Sequence, residues 1–220
     1  MIIDERTITY IDSLNWQIPE YLKEVEKKAL EDEVPVIRRS MQSLLCFVLK
    51  LRKPKAILEI GTAVGFSGML MSEYAAKNCQ IDTIENYPVR QKEAQENFEK
   101  YHKTEQIHLY KADAQDVLKQ FVEEGRKYDF IFMDAAKGQY MNFLPAILAL
   151  LSENGMLVTD NVLQDGDIIQ SRYAITKRNR TIHSRMREYL YTLTHSDELD
   201  TLILPVGDGV TLSTFRDREK

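Results

Sequence analysis

Apolar residues recur at helical spacing through the first fifty positions and then gather into short blocks separated by polar stretches. The opening part reads as three helices, roughly 4–14, 19–32 and 35–52, forming an N-terminal extension over residues 1–53. Asp4 is placed to cap the first, and Pro19 and Pro35 suit the first turns of the next two. Leu44, Leu45, Val48, Leu49 and Leu51 give the third a wide apolar face that needs a packing partner. Beyond it the pattern alternates. Strand-like runs fall at 56–60, 80–84, 107–110, 129–133 and 156–160, with helical patterns at about 67–77, 87–101, 114–124 and 138–151. Pro145 is expected to kink or restart the last of these.

Five strands joined by four helices imply a parallel sheet wound by right-handed crossovers. A loop at 162–178 and a helix near 180–194 follow. Strands at 201–204 and 210–215 flank a Gly207-Asp208-Gly209 turn, too tight for anything but an antiparallel pair. The expected fold is therefore α/β and Rossmann-like: a mostly parallel seven-stranded sheet with an antiparallel C-terminal strand, plus N-terminal helices. Residues 1–220 read as one domain, with the core at 54–220.

Composition narrows the class. With 44% hydrophobic and 29% charged residues the chain is globular rather than disordered. The acidic start MIIDERTITY does not resemble a signal peptide, and the longest apolar run, 143–151, is too short to span a membrane and contains Pro145. A cytoplasmic protein with no membrane partner is expected. Cys46 and Cys79 sit in apolar segments and read as buried free thiols, and the four histidines lack zinc-ligand spacing. The net charge of −5 argues against a nucleic-acid coat, but six basic residues and no acidic one lie between Ser171 and Arg187. They are Arg172, Lys177, Arg178, Arg180, Arg185 and Arg187.

The chemistry-bearing residues cluster at the ends of the predicted strands. The first strand runs into Glu59-Ile-Gly61-Thr-Ala-Val-Gly65-Phe-Ser67, where glycines let a ligand approach the backbone and a helix N-terminus follows. The second ends at Glu85, placed to accept hydrogen bonds from ribose hydroxyls. The third leads to Asp113 and Ala114, small or polar enough to meet an adenine edge. No Gly-x-Gly-x-x-Gly is present, which points to a nucleoside ligand without a pyrophosphate. Asp134 and Lys137 follow the fourth strand, and Asp160 and Asn161 end the fifth. If those strands are neighbours, two carboxylates and an amide converge as hard oxygen ligands suited to Mg²⁺.

These motifs, EIGTAVGFS, the Glu85 strand end, DAAK, TDN and PVGDGVTLS, resemble the cation-dependent O-methyltransferases, the group containing catechol and caffeoyl-CoA methyltransferases. The match covers about residues 34–216. The resemblance implies S-adenosylmethionine as cofactor, held at Ile37 (main chain), Gly61, Ser67, Glu85, Ala114 and the Asp134 region. It implies a divalent metal at Asp134, Asp160 and Asn161, and Lys137 as base. Within the group, the N-terminal piece and AITKRNRTIHSRMREY look most like bacterial tRNA 5-hydroxyuridine methyltransferases. That implies a tRNA anticodon loop as partner, with the six basic residues on phosphates. Ala136 stands where plant coenzyme A enzymes carry Asp, and a coenzyme A-binding segment has no clear counterpart. Metal coordination would acidify a phenol-like or enol-like hydroxyl, and 5-hydroxyuracil offers one beside a carbonyl, much as a catechol does. A small catechol-like substrate and a non-catalytic nucleotide-binding protein stay open as alternatives. The apolar N-terminal helices lead to the expectation of a homodimer.

Overall fold

The computed structural model describes residues 4–14 and 17–217; part of the acidic start, residues 1–3, lies outside them. Three helices come first: α1 (Glu5–Leu14), α2 (Glu20–Glu31) and α3 (Arg39–Arg52). The core then alternates β1 (Ala56–Ile60), α4 (Phe66–Tyr74), β2 (Gln80–Glu85), α5 (Pro88–Lys100), β3 (Ile107–Lys111), α6 (Ala114–Glu123) and β4 (Tyr128–Met133). After it come α7 (Tyr140–Leu150), β5 (Leu151–Thr159), α8 (Arg180–Thr194), β6 (Leu199–Leu204) and β7 (Val210–Phe215).

The seven strands form one sheet in the order β3-β2-β1-β4-β5-β7-β6. β1 to β5 pair in parallel, and β7 runs antiparallel to both β5 and β6. Strand residues alternate between two buried faces. Ile57, Ile81, Phe130, Phe132 and Val158 pack with α2, α3, α4 and α5, while Leu58, Ile60, Ile131, Met133 and Leu157 pack with α6, α7 and α8. Burial on both faces is why these strands read as nearly unbroken apolar runs. It also makes α2 and α3 part of the same apolar cluster as β1 and β4.

Local chemistry explains the boundaries. Asp4 accepts from the Arg6 and Thr7 amides at 3.0 and 3.3 Å, the cap expected of it. Pro88 opens α5, a position where its missing N–H costs nothing. The expectation that Pro35 begins α3 is corrected: 34–38 precede the helix, which starts at Arg39. The β-branched pair Val36-Ile37 after a proline favours extended backbone over a helical turn. α7 is a continuous helix through Pro145, held by Phe143, Leu144, Ile147 and Leu150 on the sheet, so no restart occurs there. β5 begins five residues earlier than the apolar pattern implied, with a register shift against β4. The stretch 162–178 is not all loop, since 3₁₀ turns cover Gln164–Ile169 and Lys177–Asn179. Cys46 and Cys79 are buried free thiols. Among the described residues no helix is long and apolar enough to cross a membrane.

Candidate active site

β1 and β4 are neighbours at the middle of the sheet, and β5 lies beside β4. Their carboxyl ends, with that of β2, surround a cavity of about 660 Å³. This is the crevice where open α/β sheets bind ligands. Ile37, Gly61, Ser67, Glu85, Asp113, Ala114, Asp134, Lys137, Asp160 and Asn161 all line it. Gly65 does not: its φ of 83° starts α4, and a Cβ there would lie 2.5 Å from the Phe98 ring. It serves the turn and its packing. Gly61 has a packing reason of its own, since a Cβ there would meet the Asp134 carbonyl oxygen at 2.0 Å.

On the β2 side, the Glu85 carboxylate accepts from the Ala63 amide and the Tyr87 amide, each at 2.9 Å. A carboxylate has about four acceptor sites, so two remain for hydroxyls. Asp113 caps α6 by accepting from the Gln115 amide at 2.8 Å; its carboxylate is thus partly spent on the helix. The Ser67 hydroxyl donates to Glu59 at 2.5 Å, which turns it from the ligand space toward the buried network below. The Ile37 carbonyl takes a bond from Gln42 Nε2 at 3.0 Å. Glu59 is fully buried beneath the glycine turn, with Ser67 and Thr83 as donors at 2.5 and 2.6 Å. Burial pushes its carboxyl up to about 7, against the pull of those two hydroxyls.

On the β4–β5 side, Asp134 and Asp160 stand at adjacent strand ends, one step beyond the Met133–Thr159 pair. Asn161 takes a left-handed φ of 61°, which asparagine tolerates, and its Nδ2 donates to Asp134 Oδ1 at 2.9 Å. Burial raises both carboxyls, Asp160 to about 7 with added repulsion from Asp134. Among the described residues no group of three His, Cys, Asp or Glu side chains assembles a metal site. This set reaches three only through the Asn161 amide. Its donors nevertheless fit a hard divalent cation: two carboxylates crowded together, and an amide that presents oxygen by turning over.

Three residues of the site carried no assigned role in the sequence. Asp208, 4% exposed, holds Lys137 Nζ at 3.1 Å. Its turn is latched to the strand end by Leu163 N–H to the Asp208 carbonyl and Val162 N–H to the Gly209 carbonyl, at 2.9 and 3.0 Å. Tyr140, buried at the start of α7, donates to the Asp160 carbonyl at 3.1 Å and fixes that strand end. Glu59 is the third. The flanking glycines of Asp208 were the available signal, but only the antiparallel β7 brings that turn over β5.

The six basic residues do not line the cavity, and three of them are engaged with backbone. Arg185 Nη1 donates to the Gly138 carbonyl at 2.8 Å, Arg187 Nη1 to Ile168 at 3.4 Å, and Arg180 Nη2 to Tyr173 at 3.5 Å. The side chains of Arg172, Lys177 and Arg178 are exposed and make no ion pair among the described residues.

Known proteins resemble this chain in sequence and in fold. A caffeoyl-CoA O-methyltransferase of Populus trichocarpa is 30% identical over 208 residues, 88% of this chain and 81% of that protein. A catechol O-methyltransferase of Niastella koreensis is 35% identical over 126 residues, 57% of each. The SAH-bound methyltransferase of Podospora anserina superposes with a TM-score of 0.85 at 28% identity, covering 98% of this chain and 97% of that one. The O-methyltransferase family model matches residues 12–216. With that match across nearly the whole chain, and with the strand-end acids gathered around one cavity, the chain belongs to the O-methyltransferase family, S-adenosylmethionine-dependent enzymes of the caffeoyl-CoA and catechol type.

Proposed function

We propose that this enzyme methylates the 5-hydroxyl of 5-hydroxyuridine at the tRNA wobble position, giving 5-methoxyuridine, with Mg²⁺ held by Asp134, Asp160 and Asn161. The observation that carries this reading is the gathering of Asp134, Asp160, Asn161 and Lys137 in one cavity, with a basic stretch that begins at Arg172 on the connection leaving Asn161. An acidic hydroxyl beside a carbonyl fits such an oxygen-rich corner, and the anionic backbone of an anticodon loop fits the basic segment.

The cavity fits the cofactor by its donors. Glu85 would accept from ribose hydroxyls with its two remaining acceptor sites, Asp113 and Ala114 would border the adenine, and the glycine turn would admit the amino-acid end. When bound, S-adenosylmethionine supplies an electrophilic methyl group and Mg²⁺ supplies the positive charge that acidifies a hydroxyl. In its neutral form Lys137 would take the proton of that hydroxyl at Nζ, and Asp208 beside it would hold the resulting ammonium. Met41, Phe66 and Phe143 wall the cavity with apolar surface, which limits water near the reacting oxygen. These residues orient the acceptor for in-line transfer, and orientation supplies much of the rate.

A catechol-like small molecule is the second reading. It is favoured by the activities named for the relatives and by the use of Arg180, Arg185 and Arg187 as backbone ties. Labelled methyl transfer to tRNA from a strain lacking this protein, run beside a catechol panel and with and without chelator, separates the two. Labelled 5-methoxyuridine that disappears in chelator and returns with Mg²⁺ is expected. Transfer to catechols alone would replace the tRNA reading, and full activity in excess chelator would remove the metal.

We further propose that two copies pair through the N-terminal helices, where Tyr10, Leu14, Phe47 and Leu51 are exposed. Sedimentation at a single protomer mass at micromolar concentration would count against it.

A further inference from the structure

We propose that the segment between β5 and α8 is a stacking platform for a nucleotide flanking the target base. Tyr173 offers its ring face, and Arg172, Lys177 and Arg178 offer charge to the adjoining phosphates. This deepens the RNA reading above and rests on it.

The platform is built by α8. Arg180, His183 and Arg187 share one face of that helix. Their side chains meet three carbonyls of the preceding segment in reverse chain order: Tyr173 at 3.5 Å, Gln170 at 3.2 Å and Ile168 at 3.4 Å. Ile168 and Ile175 are buried at either end as anchors. The segment is therefore strapped antiparallel along α8, with its backbone turned inward. What it turns outward is unusual, since Ile169 and Tyr173 are each 85% exposed. Neither is needed for packing.

Tyr173 is already prepared on one side. The Arg180 guanidinium lies over its ring, 5.9 Å from the centroid, a spacing at which cation and ring attract. The rest of the ring meets solvent. A flat aromatic surface backed by arginine and flanked by lysine and arginine is the chemistry that binds unstacked bases of single-stranded RNA. An acidic protein partner would use the charges but leave the ring without a purpose. The same helix is tied to the turn that carries Lys137, because Arg185 bonds the Gly138 carbonyl. A base stacked on Tyr173 thus rests on a segment strapped to the helix that is tied to the Lys137 turn.

The test uses the full chain and a fluorescein-labelled 12-nucleotide oligouridylate. Tyr173→Ala is expected to weaken binding about tenfold or more, the ordinary loss for one base–aromatic stack. Tyr173→Trp is expected to stay within about threefold of the parent, and its new tryptophan emission to be quenched as RNA is added. Replacing Arg172, Lys177 and Arg178 with Ala is expected to lower the slope of log affinity against log salt by about 2, as for three lost contacts to a single strand. Affinity for S-adenosylhomocysteine, read by calorimetry, is expected to match the parent in every variant. Parent-like RNA binding by Tyr173→Ala, with tRNA methylation intact, overturns the platform and leaves the RNA reading standing. So does a loss that Trp neither recovers nor reports by quenching. A parent enzyme that neither binds the oligonucleotide nor methylates tRNA removes the RNA reading, and the platform with it.

Discussion

Lys137 and Asp208 lie 71 residues apart in the chain yet meet at 3.1 Å in the wall of the cavity. One follows β4, and the other tops the turn between β6 and β7. The pair joins the proposed proton acceptor to a carboxylate that is 4% exposed, so the lysine is held by a partner that cannot move into water.

If Asp208 acts through Lys137, their effects should not add. Lys137→Gln and Asp208→Asn are each expected to lower kcat by about tenfold or more, and the double variant to lose little beyond Lys137→Gln alone. S-adenosylhomocysteine affinity, measured by calorimetry, should stay within about twofold throughout. Independent, additive losses would assign Asp208 a role unconnected with the lysine.

Asp134 and Asp160 crowd two buried carboxylates together, an arrangement that costs stability until a cation joins them. In chelator at pH 8, Asp160→Asn is therefore expected to melt at a higher temperature than the parent. Excess Mg²⁺ should stabilise the parent and not the variant, which closes the gap or reverses it. A parent whose melting temperature ignores Mg²⁺ would refute the assignment of these residues as ligands, independently of any activity measurement.

The ribose, which Glu85 is proposed to hold, is a part of the cofactor that methyl transfer does not alter. Glu85→Ala is expected to weaken S-adenosylmethionine and S-adenosylhomocysteine equally, by about ten- to a hundredfold, as for loss of charge-assisted hydrogen bonds. Some of that loss will come from the Ala63 and Tyr87 amides, which Glu85 also holds. Unchanged affinity for both ligands would place the ribose elsewhere.

Glu59 makes stability depend on pH in a defined direction. Its carboxyl titrates near 7 in the folded chain because of burial, against 4.5 for an ordinary glutamate. Between those values the folded state keeps a proton that the unfolded state has released. Stability from this group therefore falls as pH rises from about 4.5 to 7, and levels off above. Glu59→Gln mimics the protonated form and keeps a side chain able to meet Ser67 and Thr83. Its melting temperature relative to the parent should climb across that window and then plateau, with a full effect of a few kcal/mol at order of magnitude. A constant difference from pH 4.5 to 8 would mean the carboxyl is not displaced.

The sequence by itself determined the alternation of strands and helices and the location of the strand ends. Apolar runs of five or six residues bounded by glycine, proline and acids leave few other arrangements for the chain. Asp134, Asp160 and Asn161 were legible as strand-end residues, and as one set on the condition that β4 and β5 are neighbours, which the sheet order meets. Glu85 was legible for the same reason, as the residue that ends β2. The boundary of α3 was not legible, because Pro35 suits both a first turn and an extended lead-in, and the cavity wall selects the second. Nor was the division of the basic stretch. Which arginines tie backbone and which stay free depends on the carbonyls that α8 meets in space. Only the tertiary structure joined Asp208 to Lys137, buried Glu59 under the glycine turn, and set Tyr140 behind Asp160. Each of these contacts spans residues that local periodicity treats as unrelated. They are decided by sheet order, and above all by the reversed β7 that folds its turn back over the end of β5.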